Sequence, residues 1–308
     1  MTAEASVQSL KYWDTESSFA LECGAVLPAV RVAYHVYGDP ARQPVIWVCH
    51  ALTANSDPVE WWPGLVGPGL VIDTDRYAVV CANMLGSCYG TTGPLSTDPD
   101  TGDPWFARFP LVSVRDMARL HRRLADYLGI GVIDLLIGGS MGGQQALEWA
   151  IDEPERISKL ALLATNAQHS PWGIGFNETQ RMAIFGDPTY WQRRNDGGLS
   201  GLQTARAIAL LSYRSYESFQ VKQCETSSEF LSDYRAASYL RYQGLKLARD
   251  PEVLALRGWT YVSFDSFELA LADFDEAVRL RPTFGDALIG RATARVRLGQ
   301  IPAGLADV

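Results

Sequence analysis

The sequence has few of the residues that mark secreted, metal-binding or nucleic-acid-binding proteins. Its five cysteines, in 308 residues, are scattered and form no CxxC pair. This usage indicates free thiols in a reducing compartment and predicts neither a disulfide framework nor a zinc site. Lysine and arginine total 27 against 35 aspartates and glutamates, which gives a formal net charge of −8. The acidic balance argues against a nucleic-acid or polybasic membrane surface.

Long apolar runs are missing too. No apolar stretch reaches the roughly 18 residues that a membrane helix needs. The N-terminus has no basic start followed by an apolar core, so we expect no signal peptide, no membrane partner and a cytoplasmic protein. His, Cys, Asp and Glu form no cluster with ligand spacing, so we expect no bound metal. The 47% hydrophobic content suits a globular chain with a sizeable core.

Apolar runs alternate with helical patterns in the first half of the chain. Because parallel strands covered on both faces are apolar throughout, this alternation predicts a mostly parallel sheet flanked by helices. We place a core at residues 1–165, a helical insertion at 166–248 and a separate helical segment at 249–308. The predicted strands of the core are Arg31–Tyr37, Val45–Cys49, Tyr77–Ala82, Val132–Ile137 and Leu160–Ala164, and the predicted helices are Val114–Leu128 and Gln144–Ile151.

A serine sits among glycines in LIGGSMGGQQ, directly after a predicted buried strand and before a predicted helix. Gly138-x-Ser140-x-Gly142 in this place fits the strand–turn–helix pattern that presents a nucleophilic serine. The tight turn requires small neighbours, and the helix N-terminus offers N–H groups that stabilise a developing oxyanion. The alternative is a glycine-rich turn that packs strand on helix, with Ser140 incidental.

Such a turn needs a second oxyanion donor from the loop after an early strand. His50, Ala51 and Leu52 follow VIWVC at that point. We therefore predict that the backbone N–H groups of Leu52 and Met141 form the oxyanion hole. His50 can serve either as a catalytic base or as a residue that shapes the loop, and we favour the second role.

Six further stretches have a distinctive composition. They are HALTANSD (50–57), CANMLGSCYGTTGP (81–94), FPLVSVRDM (109–117), GGSMGGQQALEW (138–149), NETQR (177–181) and SYLRYQG (238–244). Together they resemble the homoserine O-acetyltransferase family, and related succinyltransferases and serine acetyltransferases share much of the pattern. The resemblance runs from about residue 15 to 248 and implies an α/β-hydrolase fold: a mostly parallel sheet with a helical insertion, here followed by a short all-helical, repeat-like tail.

The resemblance implies a role for each matching residue. Ser140 attacks the thioester of acetyl-CoA, a co-substrate and not a bound cofactor, and carries the acetyl group to the hydroxyl of L-homoserine. Arg181 pairs with the homoserine carboxylate; a surface salt bridge is its alternative role. The loop Asn83–Pro94 lines the pocket or is a plain connection. Family members form dimers through the helical insertion, which implies a homodimer.

The general base is the element that the pattern does not supply. A serine hydroxyl needs a base, and in this fold the order along the chain is serine, acid, histidine. The family takes its acid and histidine from the last strands of the sheet, whereas the histidines here are His35, His50, His121 and His169. His169 follows the strand LALLA and is our candidate surrogate base, with a polar residue near the pocket entrance as the alternative.

After residue 249 the sequence changes character. Leu254, Arg257, Gly258 and Tyr261, then Ala270, Phe274, Ala277 and Pro282, follow the tetratricopeptide pattern, and a shift by the repeat length lays Leu271-Ala272-Asp273 on Leu305-Ala306-Asp307. This predicts an incomplete helical repeat that covers the sheet or contacts a protein partner. An ordinary amphipathic tail is the alternative. Either a natural fusion or a rearranged or truncated reading frame explains this change in the sequence after residue 249.

Three functions therefore compete. The leading one is an acyltransferase acting on acetyl-CoA and L-homoserine in methionine biosynthesis, impaired if no residue replaces the missing acid and histidine. The second is a serine hydrolase or thioesterase, which would release acetate without homoserine. The third is a catalytically inactive scaffold whose helical tail binds a protein.

Overall fold

In the computed structural model, the chain forms two compact units, residues 1–168 and residues 169–308. The division lies close to the predicted start of the helical insertion. The residues that the structure describes are 10–94, 96–102, 105, 108–190, 198–224, 234–248, 250, 254–255, 258, 262 and 267–307.

The first unit is built on a six-stranded sheet and also contains a separate pair of short strands. Its strands are β1 (Lys11–Asp14), β2 (Phe19–Ala20), β3 (Val26–Leu27), β4 (Arg31–Tyr37), β5 (Val45–Cys49), β6 (Ala78–Ala82), β7 (Leu135–Gly139) and β8 (Leu160–Leu163). The order in the sheet is β1-β4-β6-β5-β7-β8. β5, β6, β7 and β8 pair in parallel, while β1 and β4 pair antiparallel at one side. The predicted mostly parallel sheet is confirmed.

Strand β5 shows why the sheet is covered on both faces. Successive strand side chains point to opposite faces. Val45, Trp47 and Cys49 join the larger core cluster, whereas Ile46 and Val48 join a second cluster. All five are buried, so an apolar run without polar alternation is what this central parallel strand requires.

Among the described residues of this unit, three α-helices accompany the sheet, α1 (Pro58–Trp61), α2 (Val114–Tyr127) and α3 (Met141–Asp152), with a short 3-10 helix at Pro154–Arg156. Helix α2 begins at a capping box, in which the Ser113 side chain accepts from the Asp116 N–H and the Asp116 carboxylate accepts from the Ser113 N–H. It ends before Gly129, whose φ of 69° gives the left-handed conformation expected of a terminating glycine. The predicted helix Val114–Leu128 has the observed start and an end one residue later than observed.

In the second unit, every regular element among the described residues is a helix. Helix α4 packs against α5, and α5 against α7, which agrees with the predicted helical insertion. Helix α7 starts at Arg235, and residues 225–233 lie outside the described part. The helices are α4 (Pro171–Phe185), α5 (Leu199–Ser212), α6 (Tyr216–Gln223), α7 (Arg235–Ala248), α8 (Phe267–Leu280), α9 (Gly285–Arg297) and α10 (Ile301–Leu305).

The last helices pack around one buried aromatic residue. Phe274 is fully buried, and a Cβ placed on Gly290 would lie 2.2 Å from its ring. Arg291 Nε donates to the Asp307 carboxylate over 3.0 Å, which links α9 to the residues that follow α10. Arg257 and Tyr261, on which the tetratricopeptide prediction also depends, lie outside the described residues, so the repeat stays a prediction. None of the described helices is long and apolar enough to cross a membrane.

Candidate functional site

Ser140 occupies the turn between β7 and α3. Its φ of 54° and ψ of −123° are a conformation that side-chain-bearing residues rarely adopt. The Ser140 side chain is exposed and makes no capping hydrogen bond to the helix. The turn therefore holds a strained serine with its hydroxyl uncommitted to the helix that follows, which is the arrangement expected of a nucleophile.

Two glycines make this turn sterically possible. A Cβ on Gly138 would lie 2.2 Å from the carbonyl oxygen of Gly142, so β7 and α3 pass too close for a side chain. A Cβ on Gly142 would lie 2.0 Å from the carbonyl oxygen of Cys49, at the end of the neighbouring strand β5. Both glycines are thus required by close backbone approach, as the sequence motif predicted.

Hydrogen bonds from the next strand fix the turn in place. The Ser140 N–H donates to the Leu163 carbonyl at 3.0 Å, and the Thr165 hydroxyl donates to the Ser140 carbonyl at 2.7 Å. Between them, Ala164 also has a positive φ, 46°. No spacing rule links Thr165 to a serine 25 residues earlier, so this contact was not predictable from the sequence.

The two predicted oxyanion donors border the same cavity. Met141 is the first residue of α3, where the positive end of the helix dipole lies, and Leu52 follows β5 in the adjacent loop. Within the described part of the chain, no hydrogen bond uses the backbone N–H of either residue. Both residues line the cavity. The two N–H groups are therefore available to a carbonyl oxygen.

His50 holds the oxyanion loop to the glycine-rich loop beside it. Its Nδ1 donates to the Ala51 carbonyl at 2.8 Å, and its Nε2 accepts from the Met84 N–H at 3.2 Å. Burial lowers the pKa of His50 to about 4, so the ring is neutral near pH 7. Because both nitrogens are engaged and the ring is 1% exposed, the geometry matches the loop-shaping role and not the base role.

A cavity of about 400 Å³ opens beside Leu52 and Met141. Residues 84–89 and Pro94 form part of its wall, which agrees with the pocket-lining alternative for the loop Asn83–Pro94. Residues 109–112 and Met117 form the rest. None of the described residues that line it carries a charge. These wall residues belong to the stretch FPLVSVRDM (109–117), whose place at the cavity was not predicted from the sequence.

The other two histidines of the first unit are also turned inward. His35 Nδ1 lies 2.9 Å from the Ser56 hydroxyl, and burial lowers its pKa. His121 is fully buried, its ring centroid 5.9 Å from that of Trp47. Burial and the neighbouring His50 lower the pKa of His121 to about 3. His121 is therefore an interior side chain, and His35 is partly buried.

Arg181 and His169 belong to the second unit. Arg181 lies on α4 and donates through Nε to Glu178 at 2.8 Å, one helical turn earlier. Both side chains are about half exposed, 54% and 55%. His169 is exposed just before α4, and its Nδ1 would lie 3.4 Å from a Cβ placed on Gly173. Their predicted roles in substrate binding and catalysis stay predictions.

A metal centre finds no support in the described residues, among which no group of three or more His, Cys, Asp or Glu side chains could hold an ion.

Comparison with known proteins places this geometry in a family. Residues 44–208 match the alpha/beta hydrolase fold family. The chain is 46% identical over 235 residues to a homoserine O-acetyltransferase from Cyclobacterium marinum, covering 76% of this chain and 67% of the relative. It is 42% identical over 248 residues to one from Trichormus variabilis, covering 79% and 69%.

A solved structure agrees with the sequence comparisons. The crystal structure of homoserine O-acetyltransferase from Bacillus anthracis superposes with a TM-score of 0.69 at 25% identity. The superposition covers 92% of this chain and 81% of that chain. The sheet order, the strained Ser140 turn and these likenesses all lead to the same fold.

Proposed function

Because the chain belongs to the homoserine O-acetyltransferase family and is an acyltransferase of the α/β-hydrolase fold, we propose that it moves an acetyl group from acetyl-CoA to the hydroxyl of L-homoserine. The observation that carries the proposal is the strained Ser140 turn next to two unengaged backbone N–H groups. Identity of 46% to an enzyme with this name supports the choice of substrates.

The first half of the reaction forms a seryl ester. The Ser140 Oγ attacks the thioester carbonyl carbon, its proton passes to a base, and the carbon–sulfur bond breaks to release the CoA thiol. As the carbonyl oxygen becomes negative, the N–H groups of Leu52 and Met141 donate to it. Fixed donors of this kind, together with a helix N-terminus, stabilise the transition state more than the ground state.

The second half of the reaction regenerates the free hydroxyl of Ser140. The homoserine hydroxyl attacks the acetyl carbonyl carbon, the bond to Ser140 Oγ breaks, and O-acetyl-homoserine leaves. Arg181 grips the carboxylate of homoserine in this proposal. Its present partner, Glu178, is a half-exposed neighbour on the same helix. Exposed ion pairs of this kind contribute little to stability, so exchanging Glu178 for the substrate carboxylate costs little free energy.

His169 is the base that we propose for both steps. His50 and His121 are buried in the first unit, His35 is partly buried with its Nδ1 beside the Ser56 hydroxyl, and His50 has both nitrogens hydrogen-bonded. His169 is the exposed histidine of the sequence, and a homo-oligomer supplies the same four residues. A dimer would therefore not add a new kind of base.

The test follows free CoA thiol after purified protein is mixed with acetyl-CoA and L-homoserine. Release that requires homoserine and is lost in Ser140→Ala is the expected result. Arg181→Lys should raise KM for homoserine more than it lowers kcat, since a lysine cannot form the two parallel hydrogen bonds of a guanidinium. His169→Gln should lower kcat.

The remaining outcomes identify the competing functions. Thiol release and acetate formation without homoserine would indicate a hydrolase. No release above that of Ser140→Ala would overturn the proposal and leave a non-catalytic scaffold.

A further inference from the structure

We propose that a second cavity of the first unit, between β1 and the end of α2, binds a free α-amino acid with an apolar side chain in its zwitterionic form. The cavity has a volume of about 270 Å³. The Arg123 guanidinium holds the carboxylate of the ligand, the Glu16 carboxylate holds its ammonium, and the rings of Trp13 and Tyr127 contact its side chain. All four residues line the cavity.

This second cavity is separate from the one beside Ser140. Met117 lines the first cavity and Tyr127 lines the second, and both residues lie on α2. They are ten positions apart in the sequence. At 1.5 Å per residue this separation is about 15 Å along the helix axis. None of the described residues lines both cavities, so a ligand in the second one is not an acceptor at Ser140.

The cation of the second cavity is an arginine that no described carboxylate neutralises. Arg123 donates through Nη1 to the Ser18 carbonyl oxygen over 3.1 Å, and its guanidinium carbon lies 5.0 Å from the centroid of the Phe19 ring. These two contacts hold the guanidinium in place and leave further N–H donors for an anion. The other arginines of α2 do form ion pairs with carboxylates, and they are Arg115, Arg119 and Arg122.

The anion of the cavity is unpaired as well. Glu16 follows β1 and is exposed, and within the described part of the chain its carboxylate has no hydrogen-bond or ion-pair partner. Asp126, the other carboxylate of the cavity, accepts from Arg156 over 2.8 Å. Arg123 and Glu16 line the same space but form no ion pair with each other. A ligand that carries one charge of each sign satisfies both residues.

The small size of the cavity selects an α-amino acid among such ligands. An α-amino acid carries its ammonium and its carboxylate on one carbon atom, so both charges reach partners that line one cavity of about 270 Å³. A peptide carries the two charges at opposite ends of its chain, and an extended chain lengthens by about 3.3 Å for each residue. A ligand with a single charge would leave either Arg123 or Glu16 without a partner.

The aromatic wall determines the kind of side chain that the ligand carries. Trp13 and Tyr127 are stacked, with their ring centroids 5.3 Å apart and their planes at 24°. Tyr127 is 57% exposed, so its ring offers apolar surface that a ligand can cover. Each buried methylene strengthens binding about fourfold, which corresponds to ~0.8 kcal/mol. We therefore expect L-leucine to bind at least about tenfold more tightly than L-alanine, which is three carbon atoms smaller.

Titration calorimetry with matched ligands tests the two charges. L-leucine is the probe, 4-methylpentanoate is the same molecule without its ammonium, and 3-methylbutylamine is the same molecule without its carboxylate. Binding should weaken about tenfold without the carboxylate, since hydrogen bonds between charged groups are lost. It should weaken about threefold without the ammonium, because an exposed ion pair contributes less. Equal affinity for L-leucine and 4-methylpentanoate, or for L-leucine and L-alanine, would overturn the assignment.

Variants of the lining residues assign the binding to this cavity. Glu16→Gln should weaken L-leucine about threefold and abolish its advantage over 4-methylpentanoate. Glu155 is also exposed and lies outside the cavity, so Glu155→Gln is the matched control and should change neither value. Arg123→Gln should weaken L-leucine and 4-methylpentanoate about tenfold and leave 3-methylbutylamine unchanged. If Arg123→Gln does not fold, Glu16→Gln and the ligand series decide.

The remaining outcomes are equally decisive. Affinity for L-leucine that is lost in Arg181→Gln and kept in Glu16→Gln would place the amino acid at the proposed homoserine position and overturn the assignment. Absence of binding, or binding that neither Glu16→Gln nor Arg123→Gln weakens, would overturn it too. Calorimetry requires neither acetyl-CoA nor turnover, so a failure of the proposed acetyl transfer does not affect this result.

Discussion

The Thr165 hydroxyl donates a hydrogen bond to the backbone carbonyl oxygen of Ser140 over 2.7 Å. The bond joins the second residue after β8 to the turn after β7. The same side chain fills the space above Gly143, where a Cβ would lie 2.5 Å from the Thr165 methyl group. Thr165 therefore positions the serine through the backbone of the turn and through the start of α3.

Replacing Thr165 by valine should loosen this turn without opening a cavity. Valine keeps the shape of the side chain but cannot donate, so the free energy of unfolding should fall by about 1 kcal/mol. Acylation of Ser140 should slow as well, because the turn holds the nucleophile. Urea unfolding and p-nitrophenyl ester kinetics measure the two effects. Thr165→Ser restores the hydroxyl and should recover the rate; a rate that follows side-chain volume and ignores the hydroxyl would contradict the role.

The strain at Ser140 predicts an unusual order of stability. A residue in this conformation costs about 1–3 kcal/mol unless it is glycine. Ser140→Gly should therefore be more stable than Ser140→Ala, while both variants lose the nucleophile. Thermal or urea unfolding gives the comparison. Ser158 does not have a positive φ, so the same two substitutions there should show the opposite order. If alanine is the more stable variant at both positions, the turn is not strained.

Gly142→Ala should be among the most damaging small substitutions in the first unit. The added methyl group would lie 2.0 Å from the Cys49 carbonyl oxygen, so β5 and α3 would have to separate. We expect a loss of about 3 kcal/mol or more in the free energy of unfolding, since backbone cannot yield as a side chain does. Gly131 has no atom within 4 Å of its Cβ position. Gly131→Ala is the matched control and should change stability by about 0.5 kcal/mol at most.

Two buried histidines make the fold sensitive to mild acid. The pKa of His50 is lowered to about 4 and that of His121 to about 3, from an ordinary value of 6.5. Between 6.5 and the lowered pKa values, the unfolded chain binds protons that the folded chain does not. The contribution of these histidines to the free energy of unfolding is therefore fully present above pH 6.5 and is lost as the pH falls. Each histidine should contribute a slope of about 1.4 kcal/mol per pH unit.

Urea unfolding from about pH 7 to about pH 5 measures this slope. His121→Leu removes one titrating group from the core and should flatten the curve. Val71, which is 80% exposed and does not titrate, provides the comparison: Val71→Gln should leave the slope as it is. A slope that His121→Leu leaves unchanged would show that carboxylates and not this histidine set the acid sensitivity.

Local patterns were sufficient for much of the core. β5 was predicted with the observed bounds, and α2 with its observed start and an end one residue later than observed, because burial on both faces of a strand and helical apolar periodicity leave direct marks in the sequence. The strand predicted at Val132–Ile137 is observed at Leu135–Gly139. The shift arises because the strand continues into Gly138 and Gly139, which have no apolar side chain to signal it.

Short and irregular elements were missed. The strands β1, β2 and β3 are short, and β1 has no buried side chain, so no alternation marks it. Helix α4 contains Gly173 and Gly175 and has no buried residue, which removes the helical apolar period that the prediction relied on.

The sequence by itself determined the parallel α/β core, the Ser140 turn with its glycines, and the family, because these depend on spacing between near neighbours and on motifs that stay contiguous. Tertiary structure decided the rest. Leu52 meets Met141 at one cavity, Thr165 reaches the Ser140 carbonyl, and His50 is neutral and fully engaged only after distant strands are aligned. Hydrogen bonds and desolvation act through space, so residues far apart in the chain acquire their roles only when folding brings them together.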